Sequence, residues 1–189
     1  MGKVICTHLN GKFTSGTVVE TEAYAGVTDR ASHAYNNRRT PRTETMFAKG
    51  GAAYVYLCYG VHHLFNIVTN VVGVPHAVLI RAVEPINGID SMLHRRNMVK
   101  AHPRLTAGPG CLTQALGIHT SDSGSSLLGD TIWIEDGKSI PDKLIKTSPR
   151  VGVDYAGEDA KLPWRYYIEN NPWVSRISKR LPEDKRTKS

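Results

Sequence analysis

The sequence predicts an α+β fold: a single domain on a curved, mostly antiparallel β-sheet, with helices around it and one protruding β-hairpin. Three observations carry that expectation. Short β-rich runs follow one another through tight turns without regular helix alternation, which argues against a parallel, doubly wound sheet. Helix start and stop signals stand at two places only. No linker or change of composition divides the 189 residues, a length that one domain with a substantial core accommodates.

Taken in order, Val4–His8 and Gly16–Tyr24 read as strands joined by a turn at Asn10-Gly11. Thr28–Met46 is polar and aperiodic, a long ordered loop of the kind that is usually functional when it is not disordered. Ala52–Tyr59 and Val61–Asn70 form a hairpin around Tyr59-Gly60. Ala77–Glu84 is a further strand, with Leu79 and Arg81 on one face and Val78 and Ile80 on the other. Pro85 is expected to end it, and Asn87 to cap a short helix through Asn97. Gly108-Pro109-Gly110 opens a second helix over CLTQAL, which Gly117 closes. Thr131–Glu135 and Tyr166–Glu169 complete the strands.

Composition excludes several classes. Apolar residues make up 40% and charged residues 22% of the chain, as in soluble globular proteins. Nothing approaches the roughly 18–20 continuous apolar residues of a membrane span, and MGKVICTHLNGKF lacks the pattern of a secretory signal. Cys6, Cys58 and Cys111 are odd in number and have no Cys-x-x-Cys spacing, so they read as thiols in a reducing compartment. A formal net charge of +7 raises the local concentration near polyanions. Part of it sits in NNRRTPRTE, where Arg38, Arg39 and Arg42 surround a Thr-Pro and therefore lie in a loop. Another part runs from Arg176 to Lys188; residues 177–189 are read as a basic, flexible tail behind a domain of residues 1–176.

The stretch VVETEAYAG places Glu20, Glu22 and Tyr24 on one face of a strand and Val19, Thr21 and Ala23 on the other. The second face suits a core. The first is a wetted surface or the wall of a site. In the hairpin Tyr54 and Tyr56 share a face, while Tyr59 stands at the glycine-containing tip. There a ring has few neighbours to bury it, and beside basic loops it could wedge between stacked bases. His33, His62, His63 and His76 have none of the spacings of a metal site, and no Gly-x-Ser-x-Gly elbow appears. The start Gly108-Pro109-Gly110 could offer N–H groups to a phosphate or be a plain helix start.

In order and spacing, ETEAYAG, RASHAYNNRRTPRTETMF, YVYLCYGVHHLFNIV, AVLIRAVEP, LTAGPGCLTQALGI and RVGVDYAGE resemble the 3-methyladenine DNA glycosylases of the alkyladenine type, from Lys3 to Arg176. The resemblance implies a pocket wall at Glu22. It assigns Glu22 as the base that activates water and Arg81 as the residue holding that carboxylate and water. Tyr24, His33 and Tyr56 would enclose an everted base, with Leu79 beside them. Asn66 would reject the exocyclic amino group of guanine, and Tyr59 would fill the gap left in the duplex. Arg38, Arg39, Arg42, Gly108 and Gly110 would meet the DNA backbone. The chain departs from the family in having Cys111 where a basic residue is usual, and in starting almost directly in the strand, without the family's preceding helix.

The implied reaction is hydrolysis of the bond between a damaged purine and deoxyribose C1′, which requires the nucleotide to leave the stack. A cationic alkylated purine is a good leaving group. What remains is to orient water and stabilise charge growing on the sugar, and a carboxylate does both. No metal or other cofactor is required, so a monofunctional enzyme leaving an abasic site is expected. Its partner would be double-stranded DNA, its state a monomer, and its place a bacterial cytoplasm, associated with the nucleoid. Two alternatives share some of these residues: a non-catalytic binder of damaged or single-stranded nucleic acid, and a small-substrate nucleoside hydrolase.

Overall fold

The structure is a computed structural model that describes residues 1–176; the tail read at 177–189 lies outside the described residues. Its centre is an antiparallel sheet in which β1 (Val4–Leu9), β2 (Lys12–Tyr24), β3 (Ala53–Cys58), β4 (His62–Val68), β5 (Ala77–Asn87) and β6 (Ile132–Glu135) run in the order β3-β4-β5-β2-β1-β6. β7 (Ile145–Ser148), which sequence reasoning missed, pairs with β8 (Arg165–Ile168), and β8 pairs with β2. One edge of β2 is thus shared: residues 12–17 pair with β1 and residues 20–22 with β8, while β5 takes the other edge. The expected α+β architecture with a hairpin is what the chain adopts.

Period-two alternation sorts the strands between two environments. Ala53, Val55, Phe65 and Ile80 join the main core beneath α1 (Ile89–Arg95) and α2 (Pro109–Leu116), together with Met92, Leu112 and Leu116 and, beyond an irregularity in β5, Val83. Their strand neighbours Tyr54, Tyr56, Asn66, Leu79 and Arg81 face the opposite side, where the segment 26–48 packs through Ala34, Met46 and Phe47. That segment is ordered as expected, through three short 3-10 turns.

Two expectations are corrected. The strand β5 does not stop at Pro85 but continues to Asn87. Pro85 sits opposite Gly16 at a register shift, where a missing N–H costs little and where a Cβ on residue 16 would lie 2.8 Å from the Val83 side chain. Asn87 does not cap α1: the cap is Gly88, at φ 71°, while the Asn87 amide donates to Ser15 Oγ at 3.0 Å. In addition β2 begins at Lys12, four residues before the expected Gly16, because the Asn10-Gly11 turn closes the β1–β2 pair directly.

A bulge decides what β2 presents. Val18 joins the main core although it has the same parity as Glu22 and Tyr24, which line a cavity on the other side of the sheet. The β2–β5 register shifts between Val18 and Glu20 and again between Glu20 and Thr21. Such irregularities re-aim side chains next to functional sites. Here they turn the second half of β2 over.

Candidate active site

The cavity on the far face of the sheet has a volume of about 430 Å³, within the roughly 300–1,000 Å³ typical of small-molecule sites. Glu22, Tyr24, His33, Arg42, Tyr56, Tyr59, Asn66, Leu79 and Arg81, expected as site residues from the sequence, all line it.

Glu22 lies at its floor with no exposed side-chain surface. Its Oε1 accepts the Val151 N–H at 2.7 Å and sits 3.2 Å from Arg81 Nη1; its Oε2 accepts the Tyr24 hydroxyl at 2.9 Å. Burial, followed by the neighbouring carboxylate of Glu22, raises the Tyr24 hydroxyl well above its ordinary value, so it stays a donor. Arg81 is shared: its Nε donates to Glu20 at 2.8 Å. Burial alone would lower its pKa, but Glu22 and Glu20 outweigh burial and raise it.

The walls are aromatic. The His33 ring meets the Tyr56 ring edge-on at 4.5 Å, and its Nδ1 is 2.9 Å from the Tyr54 hydroxyl. Burial first, then the charges of Arg42 and Arg38, bring the His33 pKa down to about 4, so the ring is neutral at neutral pH. Arg42 lies over the Tyr56 ring, 5.0 Å from its centroid. The Asn66 amide donates to the carbonyls of Tyr54 at 3.1 Å and Leu64 at 3.4 Å, which pins its orientation. At the rim, Tyr59 is 86% exposed. With Gly60 and Val61 it connects Cys58 to its register partner His62; it and Gly60 both stand at positive φ (50° and 70°) in a turn closed by the Val61 N–H on the Cys58 carbonyl at 3.1 Å, the combination that a type I′ turn requires.

An adjoining cleft of about 360 Å³ shares His33, Arg42 and Tyr155 with the cavity and adds Arg30 and Arg38. Among the described residues neither Arg38 nor Arg42 has a carboxylate partner, whereas Arg39 pairs with Glu44 at 2.6 Å. Arg39, Gly108 and Gly110 line neither space. The expectation that Gly108 offers its N–H to a phosphate does not hold, because that N–H donates to the Arg81 carbonyl at 3.0 Å. Gly110 backs onto the ring of His62, where a Cβ would lie 3.0 Å away. Beside Cys111, Arg96 supplies a guanidinium from the end of α1, its Nη2 3.2 Å from Sγ.

Sequence reasoning missed the supports of the site. Asp29 and Arg150, both buried, form a two-pronged ion pair at 2.5 and 2.8 Å, and Arg150 also stacks over the Tyr24 and Trp164 rings. This pair fixes the backbone that brings the Val151 N–H to Glu22. The signal lay in RVGVDYAGE, whose arginine directly precedes Val151. Glu20, Arg165 and Ser175 form a second buried cluster behind Arg81.

The sequence profile described as Methylpurine-DNA glycosylase (MPG) matches residues 1–172. The chain belongs to that family. The glycosylase is similar to a protein of Oceanobacillus iheyensis named "Putative 3-methyladenine DNA glycosylase", 48% identical over 176 residues that cover 93% of this chain and 87% of the relative. Proteins of the same name from Bacillus cereus and Alkaliphilus oremlandii are each 45% identical, covering 93% of this chain and 90% of theirs. Family membership makes this chain a monofunctional DNA glycosylase, a hydrolase of N-glycosyl bonds that removes alkylated purines in base-excision repair, with DNA as its substrate. The relatives are bacterial, and no described helix is long and apolar enough to cross a membrane.

Proposed function

We propose that the glycosylase everts a damaged purine nucleotide from duplex DNA into the cavity and uses Glu22 as general base for the water that attacks C1′. The observation that carries this reading is one carboxylate, held by two hydrogen-bond donors and the Arg81 guanidinium, at the floor of a cavity walled by Tyr24, His33 and Tyr56. Eversion costs a few kcal/mol. Tyr59, presented on the hairpin turn, fills the vacated stack and offsets part of that cost. The everted base meets Tyr24, Tyr56 and a neutral His33. Stacking contributes roughly 1–3 kcal/mol, and a cationic alkylated purine gains further from the tyrosine faces. Asn66, its amide held by two carbonyls, stands where it obstructs the exocyclic amino group of guanine.

Water takes the Oε2 side of Glu22 as the Tyr24 hydroxyl yields it, while Oε1 stays bound to Val151 and Arg81. The proton passes to Glu22, the C1′–N bond breaks, and the purine leaves with the bonding electrons. An abasic site remains and no strand is cut. Arg38 and Arg42, in the basic cleft, meet the phosphates. The working unit is a monomer of residues 1–176, acting in the cytoplasm at the nucleoid.

The test is a duplex carrying one alkylated purine, incubated with the protein and then cleaved with alkali to count abasic sites. Glu22→Gln is expected to bind that duplex as the wild type does and to lose base release by at least about 10²–10⁴-fold. Single-turnover release at the wild-type rate would remove Glu22 from its role. Retained binding by a wild-type chain that releases no base would point to the non-catalytic binder.

A further inference from the structure

Glu20 is the buried carboxylate that the reaction above leaves without a task. Its side chain has no exposed surface, and it does not line the cavity. It accepts Arg81 Nε at 2.8 Å, Arg165 Nε at 2.7 Å, the Ser175 hydroxyl at 2.8 Å and the Ser175 N–H at 2.7 Å. Burial alone would push its pKa up, but the Arg81 charge, the Ser175 N–H and the Arg165 contact outweigh burial and hold it below the ordinary value. Such a group is costly to bury unless fully paired.

We infer that Glu20 is a positioning residue: it holds Arg81 to a single-nitrogen contact with Glu22 and balances the charge of the cluster behind the base. The inference rests on Glu22 as general base. Arg81 turns its Nε to Glu20 and its Nη2 to Ser175 Oγ at 3.4 Å, itself held by Glu20, which leaves Nη1 to reach Glu22, on Oε1 at 3.2 Å. A guanidinium freed from Glu20 would present its two-pronged edge to Glu22 and compete with water for Oε2. Charge follows the same geometry. Glu20 and Glu22 face Arg81 and Arg165, two carboxylates against two guanidiniums, and Arg165 is the register partner of Glu22 across β2–β8. Glu22 is otherwise faced by Tyr24 on its own strand, by Arg150, which has Asp29 for a partner, and across the cavity by Tyr56 and His33.

The test compares single-turnover base release against pH in the full-length wild type, Glu20→Gln and Arg165→Gln, with lesion-duplex binding and circular dichroism as controls. The acid limb of such a profile reports protonation of the cluster as a whole. Glu20→Gln leaves two guanidiniums on one carboxylate. Its release is expected to slow about 10–100-fold with binding unchanged, and its acid limb to move down by about one pH unit. Arg165→Gln removes a cation, so its limb is expected to move up. A structural role alone would slow both variants and leave both limbs in place; coincident limbs would overturn the inference. Should Glu20→Gln fail to fold, the direction of the Arg165→Gln limb decides by itself, and a limb that stays or moves down overturns it. Glu22→Gln in the same series separates the two readings: if it releases base normally, the general base is wrong; if it is inactive and the limbs do not move, only the role of Glu20 is.

Discussion

Tyr59 shows how a single residue can serve the reaction at the expense of the fold. An aromatic side chain at φ 50° occupies backbone space that favours Gly or Asn, at a cost of roughly 1–2 kcal/mol. The turn would be better built with Gly-Gly, yet a tyrosine there puts a ring in solvent at the rim of the cavity. Tyr59→Gly is therefore expected to raise stability by about 1 kcal/mol while weakening eversion. Thermal unfolding reads the first effect, and a fluorescent base analogue at the target position reads the second. A variant that loses stability, or keeps full eversion, would contradict that account. The tip position was legible in the sequence because Tyr-Gly between two β-rich runs is a turn signal. The strain was not, because φ belongs to the folded backbone.

At the scale of elements, the site depends on β2 and on the segment that leads into Val151. The bulges in the β2–β5 pair let one strand give Val18 to the core and Glu22 and Tyr24 to the cavity. The Asp29–Arg150 pair then fixes the backbone whose N–H reaches Glu22. Asp29→Asn leaves the Arg150 guanidinium buried between two rings without its counter-charge. Breaking a buried pair in this way costs about 3–5 kcal/mol, which for a chain of this size lowers the melting temperature by roughly 10 °C. Calorimetry checks that. The expected companion is slower base release at permissive temperature, since the Val151 donor is no longer held in place. Near-wild-type stability would show that the ion pair does not carry this load.

For the molecule as a whole, the buried groups set how stability varies with pH. His33 in the folded chain has a pKa of about 4, against an ordinary value of 6.5. Between those values the unfolded chain binds a proton that the folded chain refuses, so stability rises with pH through this window. The contribution is full above about 6.5 and is lost as pH falls toward 4. The buried Glu20, held below the ordinary carboxylate value, adds a second loss at lower pH. Melting temperatures measured across this range are expected to fall in two stages, and His33→Gln to flatten the first. An unchanged first stage would place the responsible group elsewhere.

The division between sequence and structure follows from what each physical signal requires. Alternation, turn residues and the Gly-Pro-Gly helix start act over a few residues, so the hairpin, the antiparallel strands other than β7, and α2 could be read from the chain alone. The ordered motifs also led to Glu22, Tyr24, His33, Tyr56, Asn66, Leu79 and Arg81, which share one cavity. Proline misled at residue 85, because an edge irregularity in the sheet tolerates what a regular ladder does not. Which face of β2 each half presents depended on long-range packing and the bulges it imposes. Tertiary structure also brought Val151, Asp29 and Arg150 to the site and placed Arg165 and Ser175 behind Arg81. Those contacts join residues more than a hundred positions apart. Their energies come from burial and charge pairing, which exist only once distant segments have met, and no local pattern records them.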